Sequence, residues 1–274
     1  MKKIILPDSY SYIGAFLTLR CGLGCSYCLN HYDVSGKFDE MSTEDWITGL
    51  SRIETREDFP ITLQGGEPTV HKGFYDIASS LHSLNQCMDL LTNGMFDVKE
   101  FQQRLRATTF FREAKYASIR FSFHESTVGI ALAMKVWTLK NNGYQVGIWG
   151  LGDTERNKIM AVLCKQLNID FRLKEFLSED LGTYKYPEAH TKKFKKTVMC
   201  KPREFLVGPS GHIFRCHADL YANRNPIAHI LDESIEFKDS FPCDNYGHCN
   251  PCDVKLKTNR FQEFGYCSVL IKEL

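Results

Sequence analysis

The sequence predicts an α/β fold: a partial (β/α)6 TIM-like barrel over residues 1–190, followed by a small cysteine-rich domain over residues 191–274. Two observations lead to this fold class. Apolar, strand-like runs alternate with segments of helical periodicity in the first part of the chain, which is typical of βαβ units around a parallel sheet. From Cys200 onward the pattern changes, and six of the eleven cysteines lie there.

Six strands and five helices are predicted in the barrel. The strands cover residues 12–19, 61–64, 88–92, 118–124, 144–149 and 169–173. The helices cover residues 43–53, 72–84, 98–105, 127–142 and 153–167. Ser42 or Thr43 suits the N-cap of the first helix, and Gly143 suits the C′ position of the fourth. In such a barrel, active groups belong at the carboxyl ends of the strands.

Composition excludes several classes of function. Of the 274 residues, 43% are hydrophobic and 24% are charged. Because there is no run of about 18 apolar residues, we expect a globular protein without a membrane span. The net charge of +1 provides no field that would attract nucleic acid. The apolar stretch at the start is too short for a signal peptide, so the eleven cysteines indicate metal or redox chemistry in the cytoplasm.

The loop after the first strand carries three cysteines with CxxxCxxC spacing, at Cys21, Cys25 and Cys28. Three thiolates suit a [4Fe-4S] cube, in which one iron would then be free to bind a group from outside the protein. The same thiolates could belong to a zinc site with His31 as the fourth ligand, since structural zinc is usually tetrahedral. The loop alone leaves both metals open, and a second motif distinguishes between them.

The second motif is Gly65-Gly66-Glu67-Pro68, directly after the second predicted strand. Paired glycines allow close approach of the backbone, and the proline stiffens the turn. Glu67 can either order the loop or accept a hydrogen bond from an ammonium group. Together, the cysteine spacing and the GGEP turn resemble the radical S-adenosylmethionine superfamily.

The resemblance implies a cofactor site. In that family the three cysteines hold the cluster, and its free iron chelates the amino and carboxylate groups of S-adenosylmethionine. The glycine-rich turn helps to bind the methionine amino group. The implied cluster ligands are Cys21, Cys25 and Cys28, and the implied cofactor-binding residues in these two motifs are Tyr27, Gly65, Gly66, Glu67 and Pro68.

Polar residues at other strand ends are candidates for cofactor or substrate contacts. Asn93, after the third strand, can contact cofactor or turn the chain, and Ser122 can reach a ribose or a substrate hydroxyl. His124 is either a proton carrier or a structural hydrogen-bonding residue. Arg172, Lys174 and Glu175 alternate near the end of the sixth strand, where Arg172 and Lys174 should share a face and either bind an anionic substrate or belong to a solvated, salt-bridging rim. The candidate catalytic residues are His124, Lys174 and Glu175.

The cysteine-rich segment begins with Cys200, ten residues, Gly211, four residues and Cys216. This spacing resembles the SPASM and twitch extensions of radical S-adenosylmethionine enzymes, which hold auxiliary iron-sulfur clusters. The second half reads Cx5CxxC instead of the CxxCx5CxxxC of a full SPASM region, so the resemblance implies one auxiliary [4Fe-4S] cluster and not two. Its expected ligands are Cys200, Cys216, Cys249 and Cys252, and Cys243 and Cys267 replace one of these or flank the site.

Two further interpretations concern the same segment. A structural zinc at Cys243, Cys249 and Cys252 is the alternative to the auxiliary cluster, because CxxC also suits tetrahedral sulfur coordination. Residues 208–211 predict a hairpin turn between strands at 205–207 and 212–214. Such a hairpin would bring Cys200 and Cys216 close together.

The resemblance also implies a reaction. Reductive cleavage of S-adenosylmethionine gives a 5′-deoxyadenosyl radical that abstracts hydrogen from a substrate, and a flavodoxin or ferredoxin donates the electron. The short chain and the single auxiliary cluster favour a small polar substrate, such as a carbohydrate, cyclitol or nucleoside-like compound, that is oxidised, dehydrogenated or epimerised. The first alternative is a maturase that crosslinks a ribosomally made peptide through a thioether or carbon-carbon bond, or epimerises it. The second is a non-catalytic iron-sulfur or zinc protein.

Overall fold

Two β-sheets, one of them lined by helices, make up the part of the chain that the structure describes. The computed structural model describes residues 2–25, 28, 39–174, 196–246 and 269–273. The strands are β1 (Tyr12–Thr18), β2 (Ile61–Gly65), β3 (Met88–Thr92), β4 (Ile119–Phe123), β5 (Val146–Leu151), β6 (Asp170–Lys174), β7 (Lys196–Pro202), β8 (Glu204–Val207), β9 (His212–Phe214), β10 (Ala228–His229), β11 (Phe241–Tyr246) and β12 (Val269–Glu273). The helices are α1 (Thr43–Leu50), α2 (Phe74–Ser83), α3 (Val98–Arg104), α4 (Gly129–Asn141), α5 (Glu155–Gln166) and α6 (His217–Tyr221). None of the helices in these residues has the length and apolar character needed to cross a membrane.

The larger sheet has nine strands in the order β10-β9-β8-β1-β2-β3-β4-β5-β6. All neighbouring pairs from β1 to β6 are parallel. The helices α1 to α5 alternate with these strands along the chain. Parallel strands joined by helices confirm the predicted α/β fold and its partial barrel.

The predicted elements are present, with small differences at their ends. Each of the six barrel strands begins and ends within two residues of its predicted bounds. The largest difference is in α1, which ends at Leu50 and not at residue 53, because Ile53 leaves the helix and forms a parallel bridge with Ile4. Local periodicity cannot show such a long-range pairing.

Both predicted helix ends are confirmed. Ser42 is the N-cap of α1, and its hydroxyl accepts a hydrogen bond from the Asp45 N–H at 3.1 Å. Gly143 follows α4 with a φ of 87°, a left-handed conformation that favours glycine. Its N–H donates to the Lys140 carbonyl at 2.9 Å, which satisfies one of the terminal carbonyls of the helix.

The two faces of the parallel sheet differ in character because side chains alternate along each strand. One face packs against the helices and is apolar. Ile13, Leu63, Leu90, Phe121 and Ile148 lie on this face, and all five are fully buried. This face forms the main hydrophobic core of the barrel.

The opposite face is the inner side of the barrel, and it carries polar residues between the apolar ones. Toward the amino ends of the strands it is buried, as at Asp89 and Arg120. Toward the carboxyl ends it is partly accessible, as at Gln64, Ser122 and Arg172. The inner side is therefore open at the edge where the cysteine loop follows β1.

The C-terminal part of the described chain extends this sheet. β8 pairs in parallel with β1, with Ile13 opposite Phe205, and β9 pairs with β8 in an antiparallel hairpin. The hairpin turn was predicted, and it is closed by the Gly208 N–H, which donates to the His212 carbonyl at 2.8 Å. The second sheet is antiparallel, in the order β11-β7-β12. Neither the pairing of β8 with β1 nor this second sheet was predicted.

Candidate functional site

The cysteine loop lies at the carboxyl end of β1, where the barrel fold places active groups. Cys21, Cys25 and Cys28 are each partly exposed. The Cys28 N–H donates to the Cys25 carbonyl at 3.1 Å, and the Leu23 N–H donates to Cys21 Sγ at 3.4 Å. Tyr27 and His31 lie outside the described residues.

The chemistry of these donors fits an iron-sulfur cluster. In the described part of the chain, no three His, Cys, Asp or Glu side chains converge closely enough to hold a single metal ion. A [4Fe-4S] cube does not need such convergence, because each thiolate binds a different iron. Three accessible thiols on one loop therefore suit a cube.

The Gly65-Gly66 turn packs directly on the segment that leads into Cys21. A Cβ on Gly65, whose φ is 151°, would lie 2.0 Å from the Thr18 carbonyl oxygen. A Cβ on Gly66 would lie 2.3 Å from the Arg20 carbonyl oxygen. The Gly66 N–H also donates to the Thr18 carbonyl at 2.8 Å. Both positions require glycine, because the main chain of the turn approaches the main chain from Thr18 to Arg20 too closely for any side chain.

Glu67 connects this turn to the end of β3. Its N–H donates to the Arg20 carbonyl at 2.8 Å, and its side chain is 1% exposed. The carboxylate accepts hydrogen bonds from the Thr69 hydroxyl at 2.7 Å, the Thr92 hydroxyl at 2.8 Å and the Asn93 N–H at 2.6 Å. Burial raises the pKa of this carboxyl, and the hydrogen bonds act in the opposite direction. Of the two roles considered for Glu67, these contacts correspond to ordering the loop.

Asn93 continues the connection to the cysteine loop. Its side-chain amide donates to Cys21 Sγ at 3.5 Å, and its side-chain oxygen accepts from the Met95 N–H at 2.8 Å. Asn93 therefore both turns the chain after β3 and contacts a proposed cluster ligand. Pro68 begins the short 3-10 turn that follows Glu67 and is buried.

Glu40 closes the base of the cysteine loop, and sequence reasoning missed it. Its carboxylate accepts two hydrogen bonds from the Arg20 guanidinium, at 2.9 and 2.8 Å, and one from the Thr18 hydroxyl at 2.5 Å. Burial raises the pKa of Glu40, but these hydrogen bonds outweigh it and lower the pKa overall. Because Arg20 and Glu40 flank the loop in sequence, no local motif marks the pair.

The other candidate residues of the barrel lie near its open edge. Ser122 is on the inner face of β4 and is partly exposed. His124 follows β4, and its main-chain N–H donates to the Thr127 hydroxyl at 3.4 Å. Only the main chain of Lys174 is described, in β6, and Glu175 lies outside the described residues.

Three of the C-terminal cysteines interact electrostatically with Arg215. Cys200 on β7 and Cys243 on β11 share a face and lie diagonally across the strand pair, since Phe241 is opposite Cys200. Burial raises the pKa of the Cys200 thiol to about 12, and Cys243 adds to the shift. Burial lowers the pKa of Arg215, but Asp219, Cys216 and Cys243 raise it overall. Cys249, Cys252 and Cys267 lie outside the described residues.

Replacing Gly66 with alanine is expected to destabilise the protein. The new Cβ would meet the Arg20 backbone, which cannot move aside as a flexible side chain would, so we expect a loss of about 1–3 kcal/mol in the free energy of unfolding. Chemical denaturation measures this loss. Gly24→Ala in the cysteine loop is the stability control, because its Cβ would meet nothing within 4 Å. Equal stability of the two variants would contradict this role for the turn.

Comparisons with known proteins agree with this geometry. Residues 16–124, which contain both motifs, match the profile of the radical SAM superfamily. Molybdenum cofactor biosynthesis protein 1 from Mus musculus is 30% identical over 194 residues, which cover 64% of this chain and 30% of that protein. The chain thus spans less than a third of the length of this curated relative.

Solved structures share the fold at low sequence identity. Streptococcus suis SuiB bound to S-adenosylmethionine matches with a TM-score of 0.55 and 14% identity, over 82% of this chain and 62% of that chain. Native anSMEcpe with bound AdoMet and the Kp18Cys peptide matches with a TM-score of 0.56 and 14% identity, over 81% and 78% of the respective chains. By the family profile over residues 16–124, the relative and the shared fold, this part of the chain is similar to the radical S-adenosylmethionine superfamily.

Proposed function

We propose that this protein is a radical S-adenosylmethionine enzyme that abstracts hydrogen from a small polar substrate bound on the inner side of the barrel. The proposal rests on the hydrogen bonds that join the cysteine loop to the GGEP turn. The Arg20 carbonyl accepts from Glu67, and Asn93, which is itself bound by Glu67, donates to Cys21. A structural loop would not require a second motif that holds its first cysteine in place.

The residues of the chain have separate tasks in this proposal. Cys21, Cys25 and Cys28 would hold a [4Fe-4S] cluster, and the Gly65-Gly66 turn would contribute to the binding site of S-adenosylmethionine. When bound, these groups supply the one-electron cleavage that yields a 5′-deoxyadenosyl radical and methionine, with the electron coming from a flavodoxin or ferredoxin.

The inner face of the barrel has the composition expected for a polar substrate. Gln64, Ser122 and Arg172 are partly exposed there, beside the apolar Leu91 and Leu151. A pocket with a few directed polar groups on an apolar wall is typical of small-molecule sites. We propose oxidation, dehydrogenation or epimerisation of a carbohydrate, cyclitol or nucleoside-like compound as the reaction.

His124, Lys174 and Glu175 are the catalytic residues that we propose from the sequence. His124 follows β4 directly, and β6 ends at Lys174, so both positions are at the carboxyl edge of the sheet. A proton carrier at this edge would be close to a substrate held on the inner face. Their contribution is proposed from position alone.

A peptide substrate is the second candidate, and one observation favours it. Two structures with the same fold contain peptides: SuiB bound to the precursor peptide SuiA, at 15% identity, and anSMEcpe with the Kp18Cys peptide.

Incubation of the anaerobically reconstituted protein with S-adenosylmethionine and dithionite tests the chemistry that both candidate functions share. Release of 5′-deoxyadenosine is expected, and its absence with every substrate class would count against the proposal.

We further propose one auxiliary [4Fe-4S] cluster in the C-terminal region. The ligands proposed from sequence are Cys200, Cys216, Cys249 and Cys252, with Cys243 and Cys267 replacing or flanking them. The placement of Cys200 and Cys243 on the same face of the β7–β11 pair supports Cys243 as a ligand.

Iron content is expected to report the auxiliary cluster. Two cubes give about eight irons per reconstituted chain, and about four should remain when Cys21, Cys25 and Cys28 are all replaced by alanine. Iron and acid-labile sulfide assays measure both values. About four irons in the unmodified chain would contradict the auxiliary cluster, and zinc in place of iron would support the structural alternative.

A further inference from the structure

Arg120 is a buried cation on the inner face of the barrel. Its neighbours on β4, Ile119 and Phe121, pack in the helix-facing core, so the side chain of Arg120 points to the opposite side. It is 8% exposed and lies over the rings of Tyr116 and Trp149, with Cζ 5.0 and 5.2 Å from the ring centres. Arg120 is on the same inner face as the partly exposed Ser122, two residues deeper along β4.

Arg120 is not needed to neutralise its ion-pair partner. Asp89 already accepts two hydrogen bonds from Arg112, from Nε at 2.6 Å and from Nη2 at 2.8 Å. Arg112 also donates from Nη1 to the Glu57 carbonyl at 3.0 Å. Arg120 adds one hydrogen bond from Nη2 to Asp89 at 2.8 Å. Two guanidinium groups on one carboxylate leave one surplus positive charge in a buried site.

The surplus charge is accompanied by donors that lack partners. Among the described residues, neither Arg120 Nε nor Gln64 Nε2 has a hydrogen-bond partner, and both atoms are buried. The amide of Gln64 crosses over Gly14, where a Cβ would lie 2.4 Å from Nε2 and 3.1 Å from the Tyr12 ring. Leu91 of β3 is opposite Arg120 of β4, and one residue beyond the Leu63–Leu90 pair it neighbours Gln64 of β2. Arg120 and Gln64 therefore lie on either side of Leu91 on the inner face.

The other charged side chains described on this face have partners of their own. Arg172 Nε lies 3.1 Å from Asp170, and Glu204 lies 3.1 Å from His217, an imidazole that balances its charge only when protonated. Burying a charge without compensation costs several kcal/mol, and an unpaired buried donor adds to this cost. Such a cost is typical of binding sites, where the ligand supplies the missing partner.

We propose that Arg120 and Gln64 bind a carboxylate of the substrate inside the barrel. The proposal rests on the proposed function, because it assigns a chemical group to that substrate. A carboxylate carries the single negative charge that balances the surplus cation, and its oxygens accept from both N–H groups. Gly14 is part of the site, because any side chain there would displace the Gln64 amide.

Calorimetric titration of the reconstituted enzyme tests the charge requirement. N-acetylglycine and N-acetylglycinamide have nearly the same size and differ in the carboxylate. We expect N-acetylglycine to bind at least about tenfold more tightly, and we expect Arg120→Gln to remove this preference. Arg104→Gln, at an exposed site, should preserve it. Equal binding of the two probes, or a preference that persists in Arg120→Gln, would overturn the proposal.

A second pair of probes distinguishes a small molecule from a peptide as the source of the carboxylate. Tetraalanine with a free carboxyl terminus is compared with the amidated form. A preference confined to N-acetylglycine supports a small carboxylate substrate, and a preference in the peptide pair supports a peptide carboxylate. No preference in either pair overturns the proposal.

Stability separates a binding role from a structural one. Because Asp89 keeps both hydrogen bonds from Arg112, the unfolding midpoint of Arg120→Met should stay within about 2 °C of wild type, whereas that of Arg112→Met should fall by several times as much. Equal destabilisation would overturn the proposal. Release of 5′-deoxyadenosine is measured in parallel. If 5′-deoxyadenosine is released but neither probe pair shows a carboxylate preference, only the carboxylate site is refuted. If the carboxylate preference is found but no 5′-deoxyadenosine is released, the proposed function is refuted.

Discussion

Replacing Cys21, Cys25 or Cys28 singly with alanine is expected to abolish 5′-deoxyadenosine formation. Each substitution removes one of three thiolates, and the remaining two cannot hold a cube whose fourth iron must also bind the cofactor. We expect a loss of more than about a hundredfold, since even changes around metal ligands cost 10- to 100-fold. Chromatography of reaction mixtures with S-adenosylmethionine and dithionite measures the product.

Two cysteines outside the site serve as controls for this expectation. Cys164 is fully buried on α5, and burial raises the pKa of its thiol to about 11. Cys87 precedes β3, and burial likewise raises the pKa of its thiol. Neither thiol is close to the cysteine loop in the fold, so Cys87→Ala and Cys164→Ala should retain activity. Retained activity in any of the three loop variants would contradict the assignment of the ligands.

Replacing Arg112 with methionine is expected to produce the largest loss of stability. Arg112 is 2% exposed and makes two hydrogen bonds to Asp89, which is 1% exposed. The substitution leaves the buried carboxylate with a single hydrogen bond from Arg120 and leaves the Glu57 carbonyl without its donor. Because each hydrogen bond to a charged group contributes about 1.5–3 kcal/mol, the loss of both bonds to Asp89 should cost about 3–5 kcal/mol. Denaturant unfolding measures this change.

An exposed ion pair provides the matched control. Arg104 and Asp76 also lie 2.8 Å apart, but their side chains are 48% and 63% exposed. Exposed pairs contribute about 0–1 kcal/mol, so Arg104→Met should change stability by less than about 1 kcal/mol. If the two methionine variants were equally stable, the buried network would not have the structural role assigned to it.

The sequence predicted the barrel because its determinants are local. Alternating apolar runs located all six strands, and Ser42 and Gly143 located two helix ends. The two motifs were placed correctly at the ends of β1 and β2. Each of these signals lies within a few adjacent residues, where periodicity and turn chemistry are visible.

The parts that were missed depend on pairs of residues far apart in sequence. Glu40 closes the cysteine loop through Arg20, and Arg120 shares Asp89 with Arg112. Such pairs form only when the strands are brought together, so a single sequence gives no sign of them. For the same reason the pairing of β8 with β1 was missed, although the hairpin that contains β8 was predicted.

The roles of the GGEP residues were only partly predictable. The sequence indicated that paired glycines allow close approach, and the structure identifies the approaching segment as the main chain from Thr18 to Arg20. For Glu67 two roles were open, and its hydrogen bonds to Thr92 and Asn93 correspond to ordering the loop. The contacts of the GGEP residues within the protein therefore serve to position the cysteine loop.

We propose that Cys21, Cys25 and Cys28 hold a cluster whose fourth iron binds S-adenosylmethionine. Electron-nuclear double resonance on the reduced enzyme, with S-adenosylmethionine labelled with 15N at the methionine amino group, tests this assignment. We expect a hyperfine coupling from the labelled nitrogen to the cluster, and we expect it to disappear in the variant that lacks all three loop cysteines. A reduced cluster whose spectrum shows no coupling to the label would contradict the account.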